Sequence, residues 1–381
     1  MVAAGRTDTY GGAMAQFVPG VRLCAVFYAQ AVRPLVEEVL PGVRYAAARV
    51  GAGSEVLGYD TEQSVDHDWG PRLELFLTAT DAVRYQERLS LLLADRLPKQ
   101  ILGWPTHFEP PDERIRVMAH TDGAVAHRVL ITDVGSWATP LLGYSSDERP
   151  TTLSWLSIPT QTLAEVTGGS VYHDSVGELT ALRRQLSWYP DDVWRYVLAS
   201  QWTRIGQEEA FPGRTAQAGD DLGSRIVAAR LAREVMRLCL LLARRYPPYS
   251  KWLGTAFGRL PQATGIAQAL RAALSADDAD ARQDALCTAY EATGRWQNRL
   301  GLAEPVDPTR RPYHDRPFPV IGAQRFAEAL RARIGDPWLA GLAPVGAVDQ
   351  FIDSTDTLTQ AALARAATRA VHASGPHTDR R

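Results

Sequence analysis

A chain of 381 residues, 45% hydrophobic and 22% charged, has the apolar content to bury a sizeable core and the length for two domains. Its formal net charge of -2 lacks the basic excess that drives sequence-independent contact with nucleic-acid phosphates, so no long nucleic acid is expected as a partner. Cys24, Cys239 and Cys287 have no CxxC spacing, and no run approaches the roughly 18 apolar residues of a membrane span, so the expectation is a cytoplasmic chain with reduced, buried thiols and no membrane contact.

Apolar residues at helical spacing (Val21, Cys24, Phe27, Tyr28, Val32) predict a helix over 17–40, stopped by Pro41-Gly42. Residues 43–50 (VRYAAARV) read as a strand, followed by the glycine turn Gly51-Ala52-Gly53-Ser54 and a short helix start at 55–58. Leu73–Leu77 is strand-like, and 81–97 is an amphipathic helix ended by Pro98. Two further strands are predicted at 114–119 and 127–134, so strands are confined to about the first 135 residues. From Thr160 onward the periods are helical. The strongest runs over 222–246, with Leu222, Ile226, Leu231, Val235, Leu238 and Leu242 on one face and Arg225, Arg233, Glu234 and Arg237 mostly off it. The expected layout is α+β, with a mixed-sheet domain over 17–165, an all-helical domain over 166–370 and a disordered tail over 371–381.

One stretch carries chemistry. After the strand, Gly53-Ser54 is followed by eleven residues and then by Asp66-His67-Asp68. Backbone amides of a glycine turn, with a serine hydroxyl, form a nest of donors suited to a terminal phosphate. Carboxylates one residue apart on a strand project to the same side and repel unless a cation lies between them. Magnesium, which takes oxygen ligands from one or two carboxylates and substrate phosphates, suits such a pair. The bland alternative is that Asp66 and Asp68 are turn residues before the next strand. The segment resembles the signature of the polymerase-β-like nucleotidyltransferase superfamily, and the run SEVLGYDTEQSVDHDWGPRL also resembles actinobacterial proteins that carry a DUF4037 domain and are described as nucleotidyltransferase-like. Trp69-Gly70-Pro71-Arg72 departs from the superfamily pattern and implies a bend or bulge.

The resemblance implies a nucleotidyltransferase-like first domain, ATP or another nucleoside triphosphate as substrate, and two magnesium ions held by Asp66, Asp68 and a third acid from a neighbouring strand. Asp133 is the expected third acid, with Glu74 as a second choice. It further implies that Lys251, with Ser250 or Tyr249, reaches the triphosphate from the helical domain; the alternative is a solvated lysine beside Trp252. Tyr172, His173 and Asp174 either line the cleft or form a linking turn in which Asp174 or Ser175 caps the next helix. Glu208 or Glu209 is the candidate base for an acceptor hydroxyl, on a run that otherwise reads as a solvated helix face. The spacing of the eight histidines offers no zinc site, and the Gly51–Gly53 turn lacks the third glycine of a dinucleotide fingerprint.

The expected activity is magnesium-dependent transfer of a nucleoside monophosphate, AMP from ATP by preference, onto a hydroxyl of a small molecule with release of pyrophosphate. The resemblance to two-domain aminoglycoside nucleotidyltransferases points to an antibiotic-like or sugar-like acceptor. Two other readings stay open: a non-catalytic nucleotide sensor and an interaction protein related to toxin–antitoxin pairs. Neither the acceptor, the base preference nor the oligomeric state is legible in the sequence.

Overall fold

A computed structural model describes residues 15–110 and 115–373. By the density of contacts the chain forms two units. Of the described residues, the first comprises 15–110, 115–141, 145–148 and 165–187, and the second 142–144, 149–164 and 188–373. The expected division at 165/166 falls inside a helix, and the chain visits the second unit before returning to complete the first.

The first unit opens with helix α1 (Gly20–Phe27), a π-helical turn (Tyr28–Val32) and α2 (Arg33–Val39), so the long predicted helix is present but underwound in its middle. Strand β1 (Tyr45–Arg49) and strand β2 (Arg72–Leu77) flank the loop that carries the signature. Helix α3 (Ala79–Arg96) begins where the Thr78 hydroxyl accepts the amide of Asp81 at 3.2 Å, and Pro98 forbids its continuation. Short pairs β3 (Gln100–Ile101) with β4 (Trp104–Pro105), and β5 (His107–Glu109) with β6 (Val117–Ala119), precede β7 (Arg128–Asp133) and α4 (Val134–Leu142). Of the strand expected over 114–119, only Val117–Ala119 forms, and Arg114 lies outside the described residues.

After α5 (Thr152–Ser157) and α6 (Thr160–Thr167) comes β8 (Ser170–Asp174), then α7 (Glu178–Gln185). The sheet order is β7-β2-β1-β8, with β2 parallel to β7 and β1 antiparallel to both its neighbours. Strands are therefore not confined to the first 135 residues: the VYHD segment is the fourth strand of the sheet. Gly169 makes that return possible, because a Cβ there would lie 1.9 Å from the Arg49 carbonyl oxygen.

Period-two alternation places Leu73, Leu75 and Leu77 of β2 with Val129 and Ile131 of β7 on one side of the sheet. Leu23, Phe27, Val32 and Val36 of the N-terminal helices and Leu89 and Leu93 of α3 cover them. Each such leucine contributes about 1.5–3 kcal/mol by leaving water. β1 is buried along its whole length, and its three alanines leave room for layers on both sides.

The second unit is helical: α8 (Asp191–Glu208), α9 (Phe211–Gln217), α10 (Asp221–Leu242), α11 (Ser250–Gly258), α12 (Thr264–Ser275) and α13 (Ala279–Arg299). A two-residue pairing of β9 (Arg311–Pro312) with β10 (Pro319–Val320) interrupts it, before α14 (Gln324–Arg331), α15 (Pro337–Gly341), α16 (Val348–Phe351), α17 (Thr355–Leu358) and α18 (Ala361–His372). Asp220 caps α10 through the Gly223 amide at 2.7 Å. The face predicted for this helix is corrected at its start, because Leu222 and Ile226 are exposed. Glu234 and Arg237, expected off the apolar face, are buried. Gln201 and Arg204 hold Glu234, and Asp349 holds Arg237 at 3.0 Å. The disordered tail expected over 371–381 is corrected at its start, where Val371 and His372 belong to α18, and from 374 onward it lies outside the described residues.

Candidate functional site

The antiparallel register Ala48↔Glu74 brings the end of β1 to the start of β2. The Gly51–Ser54 turn leaves β1 and Asp66–Asp68 leads into β2, so the two halves of the signature lie at one end of the sheet. The parallel register Arg72↔Arg128 brings the first residue of β7 to that same end.

The turn does not open a helix as expected. Residues 54–58 form turns, with the Tyr59 amide donating to the Ser54 carbonyl at 2.8 Å and the Gly58 amide to the Glu55 carbonyl at 3.1 Å. Among the described residues nothing accepts a hydrogen bond from the amides of Gly53, Ser54 or Glu55, which leaves three successive backbone donors for another acceptor. Beneath the turn lies a buried ionic cluster. Arg49, wholly buried, donates to Glu55 Oε1 (2.8 Å), Glu74 Oε1 (3.0 Å) and the Val50 carbonyl (2.6 Å), while the Val50 amide donates to Glu74 Oε2 at 2.9 Å. Gly53, at φ +154°, closes over this cluster: a Cβ there would stand 2.6 Å from Arg49 Nη2. Burial works against the Arg49 charge, but Glu74 and Glu55 outweigh it and hold its pKa above the ordinary arginine value. Glu74, the second choice for a metal ligand, is committed to this cluster.

The aspartates do not sit on a strand. A 3-10 turn over Glu62–Asp66, started by the Thr61 amide donating to the Ser64 hydroxyl at 3.0 Å, carries the chain to them, and Asp68 has φ +51°. Trp69 is the physical cause. Its ring is buried between Phe17 (5.8 Å between centroids) and Trp104 (5.0 Å), its Nε1 donates to Asp60 Oδ2 at 3.1 Å, and β2 starts only after Gly70 and Pro71. Trp69 thus produces the predicted bend, but the bend displaces the carboxylates from the strand geometry expected of them. Asp66 is exposed, with its carboxylate 3.0 Å from His67 Nδ1. Asp68 is partly buried, with Oδ1 2.9 Å from Arg128 Nη2, and its backbone carbonyl accepts from Arg72. Burial pushes the Arg72 guanidinium down to about 10, helped by Arg49, and lowers Arg128, with Asp68 acting in the opposite direction.

Asp133 does not join them. It ends β7, five residues beyond Arg128 and so about 16 Å along the strand from the Asp68 partner, and its carboxylate caps α4 through the Ser136 amide at 2.8 Å. Among the described residues no group of three or more His, Cys, Asp and Glu is placed to hold a metal ion. A centre of Asp66, Asp68 and Asp133 therefore does not fit this chain. What remains is a pair of carboxylates, of a chemistry that suits magnesium shared with a nucleotide, in which Asp68 would have to exchange Arg128 for the ion.

The remaining candidates have defined surroundings. Asp174 accepts from the Gly177 and Thr180 amides at 2.6 and 2.9 Å, a helix-capping role; the Tyr172 hydroxyl donates to the Val21 carbonyl, and His173 lies against Tyr45. In the second unit Glu208 pairs with Arg230 at 2.9 Å, and Glu209 is buried against the amides of Ile321, Gly322 and Ala323, so neither stands as an unengaged base. Tyr249, Ser250 and Lys251 form the exposed start of α11, with the Lys251 ammonium 5.0 Å from the Trp252 ring centre and the Tyr249 amide donating to Gln161. Sequence reasoning missed Arg49, Arg72 and Arg128. The signal for the first was available: an arginine ending the strand YAAAR and a glutamate inside LELFL are opposite charges in two apolar strands.

Fold and site together define an α+β protein whose four-stranded mixed sheet gathers a glycine turn, two aspartates and two arginines at one end. Residues 155–253 match the family described as a domain of unknown function, DUF4037. The match lies outside the Gly53–Asp68 segment. Among solved structures the chain is similar to a nucleotidyltransferase-like protein from Exiguobacterium sibiricum 255-15, with 14% identity over 71% of this chain and 78% of that one and a TM-score of 0.29. No curated protein matches. Among the described residues no helix is long and apolar enough to cross a membrane.

Proposed function

We propose that this chain binds a nucleoside triphosphate at the sheet end that carries Gly53, Ser54, Asp66 and Asp68, and transfers its nucleoside monophosphate to a hydroxyl of a small molecule, releasing pyrophosphate. The observation that carries the reading is the convergence of the amides of Gly53, Ser54 and Glu55, which no described residue engages, with two carboxylates and two guanidinium groups at one end of one sheet. Backbone amides and the Ser54 hydroxyl suit terminal phosphate oxygens, and the arginines offset their charge. Magnesium bound with the nucleotide, against Asp66 and Asp68, would neutralise the leaving pyrophosphate. ATP is the proposed donor.

Calorimetric titration with ATP and magnesium tests the binding, and pyrophosphate release across a panel of hydroxyl-bearing acceptors tests the transfer. Asp68→Asn is expected to abolish release, and Ser54→Ala to weaken binding. Absence of binding heat with all four ribonucleoside triphosphates would overturn the proposal. The ion pair between Asp68 and Arg128 and the distance of Asp133 favour a second reading, a nucleotide-binding protein without turnover. Binding without pyrophosphate release from any acceptor would select it.

A further inference from the structure

We propose that Arg128 and Arg72 form the polyphosphate grip of this site and that Asp68 is an internal anion occupying the grip until a nucleotide displaces it. The inference rests on the nucleotide reading above and identifies which side chains meet the phosphates.

Arg72 and Arg128 are register partners on adjacent parallel strands, and like charges directly opposite one another are unfavourable in a sheet. Such a pair persists where an anion lies against it. In this chain Glu55 lies 3.9 Å from Arg72, and the residue four positions before Arg72 serves both strands: the Asp68 carboxylate lies 2.9 Å from Arg128, and the Asp68 carbonyl accepts from Arg72.

Three features mark the contact as exchangeable. Asp68 Oδ1 meets Arg128 through one contact of 2.9 Å with Nη2, not the two-pronged fork a guanidinium makes with a well-placed carboxylate. Asp68 holds a left-handed backbone at φ +51°, which aspartate tolerates better than most residues with a side chain but still at a cost. Its amide donates to the Arg116 carbonyl at 2.8 Å, which fixes the backbone while leaving the side chain to rotate. The Asp68 carboxylate brings a single charge to Arg128, while Arg72 receives the Asp68 backbone carbonyl and has the Glu55 carboxylate 3.9 Å away. A polyphosphate tail supplies several oxygens and more charge, and it meets the Gly53 and Ser54 amides at the same sheet end. Displacement also turns the Asp68 carboxylate out toward the nucleotide, so binding itself would free the acid that the transfer needs.

The test uses the full chain, inorganic tripolyphosphate as probe and EDTA to remove divalent ions, with affinity read by calorimetry. Arg128→Gln is expected to weaken tripolyphosphate binding about tenfold or more, the scale of one lost charge-assisted contact. Asp68→Asn is expected to act in the opposite direction and tighten it severalfold, because the competing anion is gone. Arg128→Lys should recover part of the loss, and circular dichroism of each variant excludes unfolding as the cause. Asp68→Asn that weakens or leaves unchanged the tripolyphosphate affinity overturns the grip while ATP binding to the wild-type chain still upholds the nucleotide reading. Wild-type protein that binds neither ATP with magnesium nor tripolyphosphate overturns both.

Discussion

Replacing Arg49 by methionine would strip the buried cluster under the glycine turn of its only described cation at full burial. Arg49 donates to Glu55, Glu74 and the Val50 and Ala52 carbonyls, and both glutamates are more than nine-tenths buried. Methionine fills much of the volume but leaves two anions and two carbonyls without their donor. Only the Val50 amide at 2.9 Å continues to hold Glu74, and Arg72 at 3.9 Å is the nearest remaining charge to Glu55. Breaking a buried pair by removing one partner costs about 3–5 kcal/mol. For a unit of this size that corresponds to a fall of roughly 6–20 °C in melting temperature. Thermal unfolding followed by circular dichroism measures it. The triple variant Arg49→Met, Glu55→Gln, Glu74→Gln should recover a large part of the loss, because it removes the stranded charges as well. A single variant within about 1 kcal/mol of wild type, or a triple variant no better than the single one, would refute the reasoning that the network is held by mutual neutralisation.

Gly53→Ala places a Cβ 2.6 Å from Arg49 Nη2 on a backbone at φ +154°, so both strain and clash oppose it. A loss of about 2 kcal/mol or more is expected in chemical denaturation, against a few tenths for Ala52→Gly beside it. Burial lowers the pKa of His127, whose Nε2 lies 3.1 Å from the Ser90 carbonyl and whose Nδ1 accepts the Val129 amide at 3.2 Å. The unfolded chain then binds this proton more readily than the folded one, so stability should fall as pH drops below the ordinary histidine value near 6.5. His127→Gln should flatten the melting temperature between pH 7.5 and 5.5. Burial also pushes the Cys24, Cys239 and Cys287 thiols up to about 12. The folded protein should therefore leave all three unmodified by a thiol reagent at pH 8 over the time in which the denatured chain reacts completely. Rapid labelling of even one in the native state would contradict that placement.

Regular elements were legible wherever a period was sustained. The strand VRYAAARV, the run before Pro98 and the long helix after Asp220 each appear within a few residues of their expected bounds, because alternation, caps and proline stops are local signals. The fourth strand was not legible. SVYHD is five residues long, and what makes it a strand is pairing with β1, some 125 residues earlier in the chain. The site shows the same division. Spacing located Gly53-Ser54 and Asp66-His67-Asp68 at one place, and the register of β1 and β2 shows why that spacing brings them together. Side-chain direction did not follow from spacing. Trp69 is buried between Phe17 and Trp104, and β2 begins only at Arg72, four residues after Asp68, so the aspartates lie outside the strand. The Asp133 expectation failed on direction as well: β7 runs parallel to β2, which carries its last residue away from the site.

The late arrival of β8 has a consequence for how the protein is made. β1 has β2 on one side soon after it is synthesised, but its other edge is completed only by Ser170–Asp174 and by Ser175, whose hydroxyl accepts the Tyr45 amide at 3.0 Å. Until those residues leave the ribosome, a strand that is buried along its whole length in the finished fold presents open hydrogen-bonding groups, the condition under which chains pair with the wrong neighbour. A fragment ended at 165, the domain boundary expected from the sequence, would keep that edge open permanently and should aggregate, whereas one ended at 187 carries its own closing strand.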